Sequence, residues 1–156
     1  MTEYEVRPAL SSDVTFLADV SIEATRAQGR LPADFDEAEW RDGFEEWTRE
    51  TLDDPTTSVN VVEQHGKPVG RLRITRFPDL IELSGIQLLP RVQGQGIGTA
   101  IIQNLQAEAA ARGVPLRLNV EQNNPAARRL YHRLGFTQIA QDGPEAILQW
   151  PPDSTA

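Results

Sequence analysis

The chain has 156 residues, 39% of them hydrophobic and 24% charged, and a formal net charge of −8. These values are typical of one soluble globular domain with a real core. We expect that domain over residues 1–150, followed by a mobile tail over residues 151–156. No apolar run approaches the ~18 residues of a membrane span, and an acidic chain is a poor partner for nucleic acid. With no cysteine and two histidines, we expect no disulfide, no metal site and a cytoplasmic protein.

The first third of the chain predicts one strand and two helices. Residues 4–7 suit a short strand, and the polar residues 11–13 offer N-cap side chains for a helix that reaches about residue 28. A second helix is expected over about residues 36–52. Its apolar side is an aromatic stripe with helical spacing that consists of Trp40, Phe44 and Trp47.

Acidic residues concentrate around this second helix. Residues 34–54 hold ten acids against two bases, a net charge of −8 for the segment. These acids could simply be the solvated side of a helix that buries its aromatic stripe. Alternatively, their field attracts a cationic amine, or the stripe forms a contact in a homodimer.

A hairpin and a third strand follow. Residues 58–63 and 69–77 predict two strands joined by a turn, and residues 80–89 predict the next strand. Within that strand the apolar side chains change from odd to even positions at Gly85. Because side chains alternate with period two, this change indicates an extra residue, and hence a β-bulge. If both faces of the strand are buried, however, the change of parity carries no meaning.

A glycine-rich turn follows, in which Gly94, Gly96 and Gly98 occupy alternate positions. It connects the strand to an amphipathic helix predicted over residues 97–112. Glycines allow a tight bend, and the unpaired amides at the start of the helix suit a phosphate or pyrophosphate. The pattern fits neither a Walker loop nor a dinucleotide fingerprint. By itself it also suits a simple connection between strand and helix.

The last third predicts a strand over residues 116–120, a short helix from Asn124-Pro125 to Gly135, and two closing strands. The closing strands lie over residues 136–140 and 146–150. The order β-α-α-β-β-β-α-β-α-β-β predicts an α/β (α+β) fold, with helices packed against a mixed, mostly antiparallel sheet.

Two motifs in this order resemble a known family. The first is Gln93-x-x-Gly96-x-Gly98, and the second is Asn124-x-x-Ala127-x-x-Leu130-Tyr131-x-x-x-Gly135-Phe136. Together they resemble the acyl-CoA-binding core of the GNAT superfamily of N-acetyltransferases, over roughly residues 59–136. The resemblance implies that fold, with central strands that splay apart after Gly85 to open a slot for the cofactor.

The resemblance also implies which residues bind acetyl-CoA. Its pyrophosphate would contact a loop that comprises Gln93, Gly94, Gln95, Gly96, Ile97, Gly98 and Thr99. Its pantetheine arm would pair with the backbone of a strand segment that comprises Ile86, Gln87 and Leu88. Asn124 would hydrogen-bond the same arm, unless its side chain serves only to cap the helix that begins at Pro125.

Two side chains are candidates for the chemistry. Tyr131 would be the general acid that protonates the leaving thiolate, although its spacing with neighbouring apolar residues equally suits a core position. Glu82 would be the base, directly or through a water, although an exposed strand carboxylate is an equal alternative. Glu121 or ordered water could instead remove the proton.

The function implied is transfer of an acetyl group from acetyl-CoA to a primary amine, by direct attack in a ternary complex. The acceptor would be a small molecule or a peptide or protein N-terminus, preferably cationic. One alternative is a non-catalytic domain that senses acetyl-CoA, and another is a structural domain with an empty glycine turn. The sequence does not decide whether the acyl group is longer than acetyl.

Overall fold

The computed structural model describes residues 3–151, and within that range the chain forms seven strands and four helices. The strands are β1 (Glu5–Pro8), β2 (Thr57–Gln64), β3 (Lys67–Phe77), β4 (Leu80–Leu88), β5 (Leu116–Glu121), β6 (Thr137–Asp142) and β7 (Glu145–Trp150). The helices are α1 (Val14–Ala27), α2 (Glu37–Thr51), α3 (Ile97–Arg112) and α4 (Pro125–Arg133). Every predicted element is present in the predicted order. Apart from Pro151, the expected C-terminal tail lies outside the described residues.

The strands form one sheet in the order β1-β2-β3-β4-β5-β7-β6. Strand β1 is antiparallel to β2, and β7 is antiparallel to both β5 and β6, whereas β4 and β5 run parallel. The predicted mixed, mostly antiparallel sheet with helices is therefore confirmed.

The hairpin between β2 and β3 turns through His65 and Gly66, whose φ angles are 54° and 75°. Two successive residues with positive φ are typical of the tight turn that matches the twist of paired strands. His65 is exposed, as expected for a solvated turn residue.

The parallel pairing of β4 with β5 is short. It extends from the pair Ile81 and Leu116 to the pair Leu83 and Leu118. The register therefore ends two residues before Gly85, although β4 continues to Leu88. Such a short register is what the predicted splay of the central strands requires. The β-bulge expected at Gly85 stays a prediction.

The described chain divides into two compact units. The first contains the residues up to Ile74 together with Gly85–Ile97, and the second contains Thr75–Ser84 and the residues from Gly98 onward. In the first unit Leu17, Val59 and Val61 are buried, with the partly buried side chains Ala9, Phe16, Phe44 and Leu52 packed against them. The single domain expected over residues 1–150 stays a prediction.

The second unit has its own buried core. Its largest enclosed side chains come from β4, α3 and β5 and from the residue after α4: Ile81, Ile102, Leu116, Leu118 and Phe136. Arg76 on β3 donates two hydrogen bonds to the carboxylate of Glu108 on α3, at 2.7 and 2.9 Å. This bidentate ion pair fixes the helix to the strand.

The start of α1 differs from the prediction. Ser11 and Ser12 do not cap the helix with their side chains; they belong to a short 3-10 turn that precedes it. Asp13 instead reaches back, accepting a hydrogen bond from the Leu10 amide at 2.8 Å and two from the Arg7 guanidinium at 2.8 and 2.9 Å. Arg7 thereby lowers the pKa of the Asp13 carboxyl. The carboxylate ties β1 to the first helix.

Among the residues that the structure describes, none of the helices is both long enough and apolar enough to cross a membrane.

Candidate functional site

The glycine-rich loop adopts the conformation that glycines permit. Gly94 and Gly96 have φ angles of 79° and 86°, a region that other residues rarely occupy. The loop is exposed, and α3 begins directly after it at Ile97. The amides of Ile97, Gly98 and Thr99 therefore belong to the first helical turn, where the helix itself supplies no acceptors. This arrangement suits an anion such as a pyrophosphate.

Side chains on both flanks hold this loop in place. Gln93 donates from Nε2 to the Leu88 carbonyl at 3.0 Å, and Gln95 accepts from the Gln64 amide at 3.0 Å. Val92, just before the loop, is 2% exposed. Gln93 and Gln95 thus position the loop with their side chains, and the Gln93 backbone amide donates to the Pro90 carbonyl at 3.2 Å.

The strand segment Ile86, Gln87 and Leu88 is half-buried. Its side chains do not alternate cleanly between buried and exposed. The side chain of Gln87 accepts a hydrogen bond from Arg71 on β3 at 2.8 Å. Any contact of this segment with a pantetheine arm would therefore be made by the backbone, as the sequence suggested.

Glu82 is half-buried on β4 and lies beside Arg117 in the parallel register. The Arg117 guanidinium bonds to Gln149 Oε1 at 2.7 Å. Residues in register point to the same face, so Glu82 shares a face with Asn119 and Glu121. Glu121 is four residues beyond Arg117, about 13 Å along the strand. The two candidate bases therefore occupy well-separated positions on that face.

Tyr131 combines a buried ring with an available hydroxyl. The side chain is 8% exposed, and its ring meets that of Phe136 edge-on at 5.7 Å between centroids. Burial raises the pKa of the phenol to about 12. The hydroxyl forms no hydrogen bond with a residue in the described range. Tyr131 is thus a core residue whose hydroxyl stays neutral and unoccupied.

Asn124 caps α4, since its Oδ1 accepts a hydrogen bond from the Ala127 amide at 3.3 Å. The capping role is therefore confirmed. Its Nδ2 group has no hydrogen-bond partner in the part of the chain that the structure describes. Capping uses the acceptor atom and pantetheine binding would use the donor, so the two roles are compatible.

The acids around α2 point into solvent. Of the ten acids in residues 34–54, nine are exposed, and Glu45 is half-buried. The aromatic stripe packs within itself, with Trp40 stacked on Phe44 at 4.8 Å and Phe44 against Trp47 at 6.1 Å between ring centroids. The acids are thus solvated as the sequence allowed, but the aromatic stripe is only partly covered, with Trp47 41% exposed. The exposed acids create a negative field.

Sequence reasoning missed Arg71 on β3. It is 5% exposed, and its guanidinium lies over the rings of Phe44 and Trp47 at 5.2 and 6.0 Å from their centroids. Burial, together with the nearby positive charge of Arg73, lowers the pKa of Arg71 to about 10. A signal was present: β3 carries Arg71 and Arg73 at alternate positions, hence on one face.

Arg71 also explains why residue 85 is glycine. A Cβ atom on Gly85 would lie 2.4 Å from Arg71 Nη1, a distance that real Cβ atoms do not reach. The guanidinium therefore occupies the room that a larger residue would need. Sequence reasoning assigned this glycine to backbone geometry alone, because the steric reason lies on another strand.

Within residues 3–151, no group of three or more His, Cys, Asp or Glu residues is arranged to hold a metal ion. His132 is exposed on α4, as expected.

Comparison with protein families and curated proteins gives consistent matches. The model of the acetyltransferase (GNAT) family matches residues 21–136. An uncharacterised N-acetyltransferase of Mycobacterium tuberculosis is 35% identical over 89 residues, covering 56% of this chain and 57% of the relative. The GCN5-like protein acetyltransferase of the same species is 42% identical over 73 residues, covering 44% of this chain and 34% of the relative. The chain thus spans little more than half of the first relative and about a third of the second.

Solved structures share the fold. The PaiA N-acetyltransferase of Thermoplasma acidophilum in complex with coenzyme A has a TM-score of 0.72 at 17% identity, covering 95% of this chain and 98% of that one. An acetyltransferase of Thermus thermophilus has a TM-score of 0.75 at 20% identity, with 96% of each chain covered. At these identities the likeness establishes the fold.

Proposed function

Since the chain belongs to the acetyltransferase (GNAT) family, we propose that it transfers an acetyl group from acetyl-CoA to a primary amine. The observation that carries this proposal is the exposed glycine loop, which has positive φ angles at Gly94 and Gly96 directly before α3. It supports a site for the pyrophosphate of the cofactor.

The remaining cofactor contacts follow from the family motifs. The loop from Gly94 to Thr99 holds the pyrophosphate through backbone amides, and Gln93 directly precedes it. The backbone of Ile86 to Leu88 pairs with the pantetheine arm, and the Nδ2 group of Asn124 donates to it. The cap formed by Asn124 Oδ1 supports this role, because it fixes the orientation of the amide group.

The reaction is a direct attack in a ternary complex. The amine nitrogen bonds to the thioester carbon, the C–S bond breaks, and the thiolate of CoA leaves and takes up a proton. Transfer of the proton from a phenol with a pKa of about 12 to a thiolate whose conjugate thiol has a pKa of ~8.5 is unfavourable by about 5 kcal/mol. Tyr131 therefore stabilises the forming thiolate as a hydrogen-bond donor, and full proton transfer is completed later, by solvent.

Glu82 removes the proton from the attacking amine, directly or through a water. Its half-buried position on β4, three residues before Gly85, supports this role. Glu121 is the other candidate base on the same face, about 13 Å away along the strand. If Glu82 is the base, E82Q lowers turnover strongly and E121Q changes it little; the reverse result would assign the role to Glu121.

The acceptor is a primary amine, and the exposed acids around α2 support attraction of a positively charged one by a long-range field. The first test is release of CoA thiol from acetyl-CoA across a panel of amines. A chain without cysteine gives no thiol background of its own. Release with one class of amine supports the transferase. If no amine in the panel causes thiol release although calorimetry shows that acetyl-CoA binds, the result would instead support the non-catalytic sensor.

A further inference from the structure

Arg71 is a buried cation for which the described chain provides no counter-anion. It is 5% exposed and donates from Nη1 to Gln87 Oε1 at 2.8 Å. Its Nε is enclosed and has no hydrogen-bond partner. No carboxylate within residues 3–151 pairs with it, and the charged group that acts on it is another arginine, Arg73.

A bound anion would stabilise this arrangement. Burial of a guanidinium without a carboxylate is costly. The rings of Phe44 and Trp47 offset part of that cost through cation–π contacts. The repulsion from Arg73 adds to the cost. A buried charge without a counter-ion is therefore a candidate for a binding site.

The guanidinium is also well placed to bind a ligand. It lies against Gly85, where an added Cβ would be 2.4 Å from Nη1. Gly85 directly precedes Ile86, at the start of the segment proposed to hold the pantetheine arm. Its Nη2 forms no hydrogen bond within the described range, and unlike Nε it is not enclosed. The Nη2 edge of the guanidinium is therefore open, and it lies beside the strand where the amine would attack.

We propose that Arg71 binds the carboxylate of the acceptor, so that the acceptors are α-amino acids. This inference rests on the proposed acetyl transfer and specifies its acceptor. The planar fork of arginine matches a carboxylate, and in an α-amino acid one carbon separates the carboxylate from the reacting amine. Gln87 uses Oε1 for Arg71, which leaves its Nε2 to donate to the same carboxylate. Polyamines and peptide N-termini lack an anion at this position.

The test compares each proteinogenic L-amino acid with its own carboxamide. Thiol release from acetyl-CoA gives turnover, and calorimetry in the presence of CoA gives binding without reaction. We expect at least one amino acid to be preferred over its carboxamide by about 30-fold or more in kcat/KM. R71Q should remove this preference while leaving the affinity for acetyl-CoA unchanged. R71K, which keeps the charge but loses the fork, should retain only part of it.

R49Q is the matched control, because Arg49 is an exposed arginine on α2 whose contact is a surface pair with Glu45. It changes the local charge equally and should leave the preference intact. Melting temperatures of all variants establish that each is folded. Equal use of acids and carboxamides, or undiminished amino-acid binding by R71Q, would overturn the inference.

The two proposals can fail separately. If amino acids bind in a manner that depends on Arg71 but no acetyl moves, the acceptor inference stands as a binding site and the transferase fails. If amines are acetylated without regard to the carboxylate, the transferase stands and the inference fails. Binding of O-phosphoethanolamine, without discrimination between acids and carboxamides, would overturn the choice of a carboxylate.

Discussion

At the scale of single residues, the role proposed for the Tyr131 hydroxyl is to stabilise the leaving thiolate. Replacing Tyr131 with Phe removes the donor and keeps the ring that packs against Phe136. We expect turnover to fall by about 100-fold, with acetyl-CoA affinity and melting temperature nearly unchanged. Single-turnover kinetics and calorimetry measure the two effects. Full activity in Y131F would show that Tyr131 is a core residue without a catalytic role.

The pH dependence of turnover gives a second check on Tyr131. Because burial raises the pKa of the phenol to about 12, the donor stays protonated throughout the neutral and mildly alkaline range. The rate should therefore rise with pH as the amine loses its proton. Below about pH 11, deprotonation of Tyr131 should not lower the rate. A descending limb near pH 10 that is absent in Y131F would show an ordinary phenol instead.

Gly85 and Arg71 form a pair whose coupling can be measured. The G85A substitution puts a methyl group 2.4 Å from Arg71 Nη1, and the rings and Gln87 restrict how far the guanidinium can move. We expect the free energy of unfolding to fall by about 1–3 kcal/mol. In an R71Q background the same substitution should cost much less. Equal costs in chemical denaturation of both backgrounds would contradict this contact.

At the scale of secondary-structure elements, the glycine loop before α3 should depend on its backbone. Gly96 has a φ of 86°, and an added Cβ would contact nothing within 4 Å. G96A should therefore act through conformation alone, at about 1–2 kcal/mol, and weaken acetyl-CoA binding by about tenfold. Gly143, with a φ of 56° and equally open surroundings, is the matched control. Calorimetry should show unchanged binding in G143A; equal losses in both would exclude a specific role for the loop.

Asp13 is expected to stabilise the junction of β1 and α1. D13N removes the negative charge and one of the two oxygens that accept hydrogen bonds from Arg7, which should cost about 1–2 kcal/mol at neutral pH. Because the folded pKa of Asp13 is lowered, this stabilisation is present above the unfolded value of ~3.9 and is lost as pH falls through the folded value. Denaturation curves of the two proteins should therefore converge in acid. A difference in stability between the two proteins that stays constant with pH would contradict this role of Asp13.

The elements themselves were predictable because their signals are local. The cap at Asp36, the turn through Gly66 and the motif helix after Asn124 each depend on neighbours in sequence, and their boundaries fall within about two residues of the expected ones. The partners of Asp13, Gly85 and Arg71 could not be predicted in this way. Each depends on a residue from another element, which sequence spacing does not bring together.

At the scale of the whole molecule, the excess negative charge lies around α2. If this field attracts the ammonium group of the acceptor, cationic amines should be better acceptors than neutral ones at low salt. Raising the salt concentration should narrow the gap, because exposed charges are screened beyond ~10 Å at 0.1 M ionic strength. If the difference in kcat/KM between cationic and neutral amines does not change with salt concentration, the field does not account for the preference.

Acetyl transfer to an amine is tested most directly by following the acetyl group itself. The purified chain would be incubated with acetyl-CoA labelled at the acetyl carbonyl, together with amino acids and simple amines, and the products identified by mass spectrometry. We predict a labelled N-acetyl product, formed in the same amount as the CoA thiol released. Thiol release without a labelled amine, or acetyl-CoA bound and left intact, would contradict the proposed transferase.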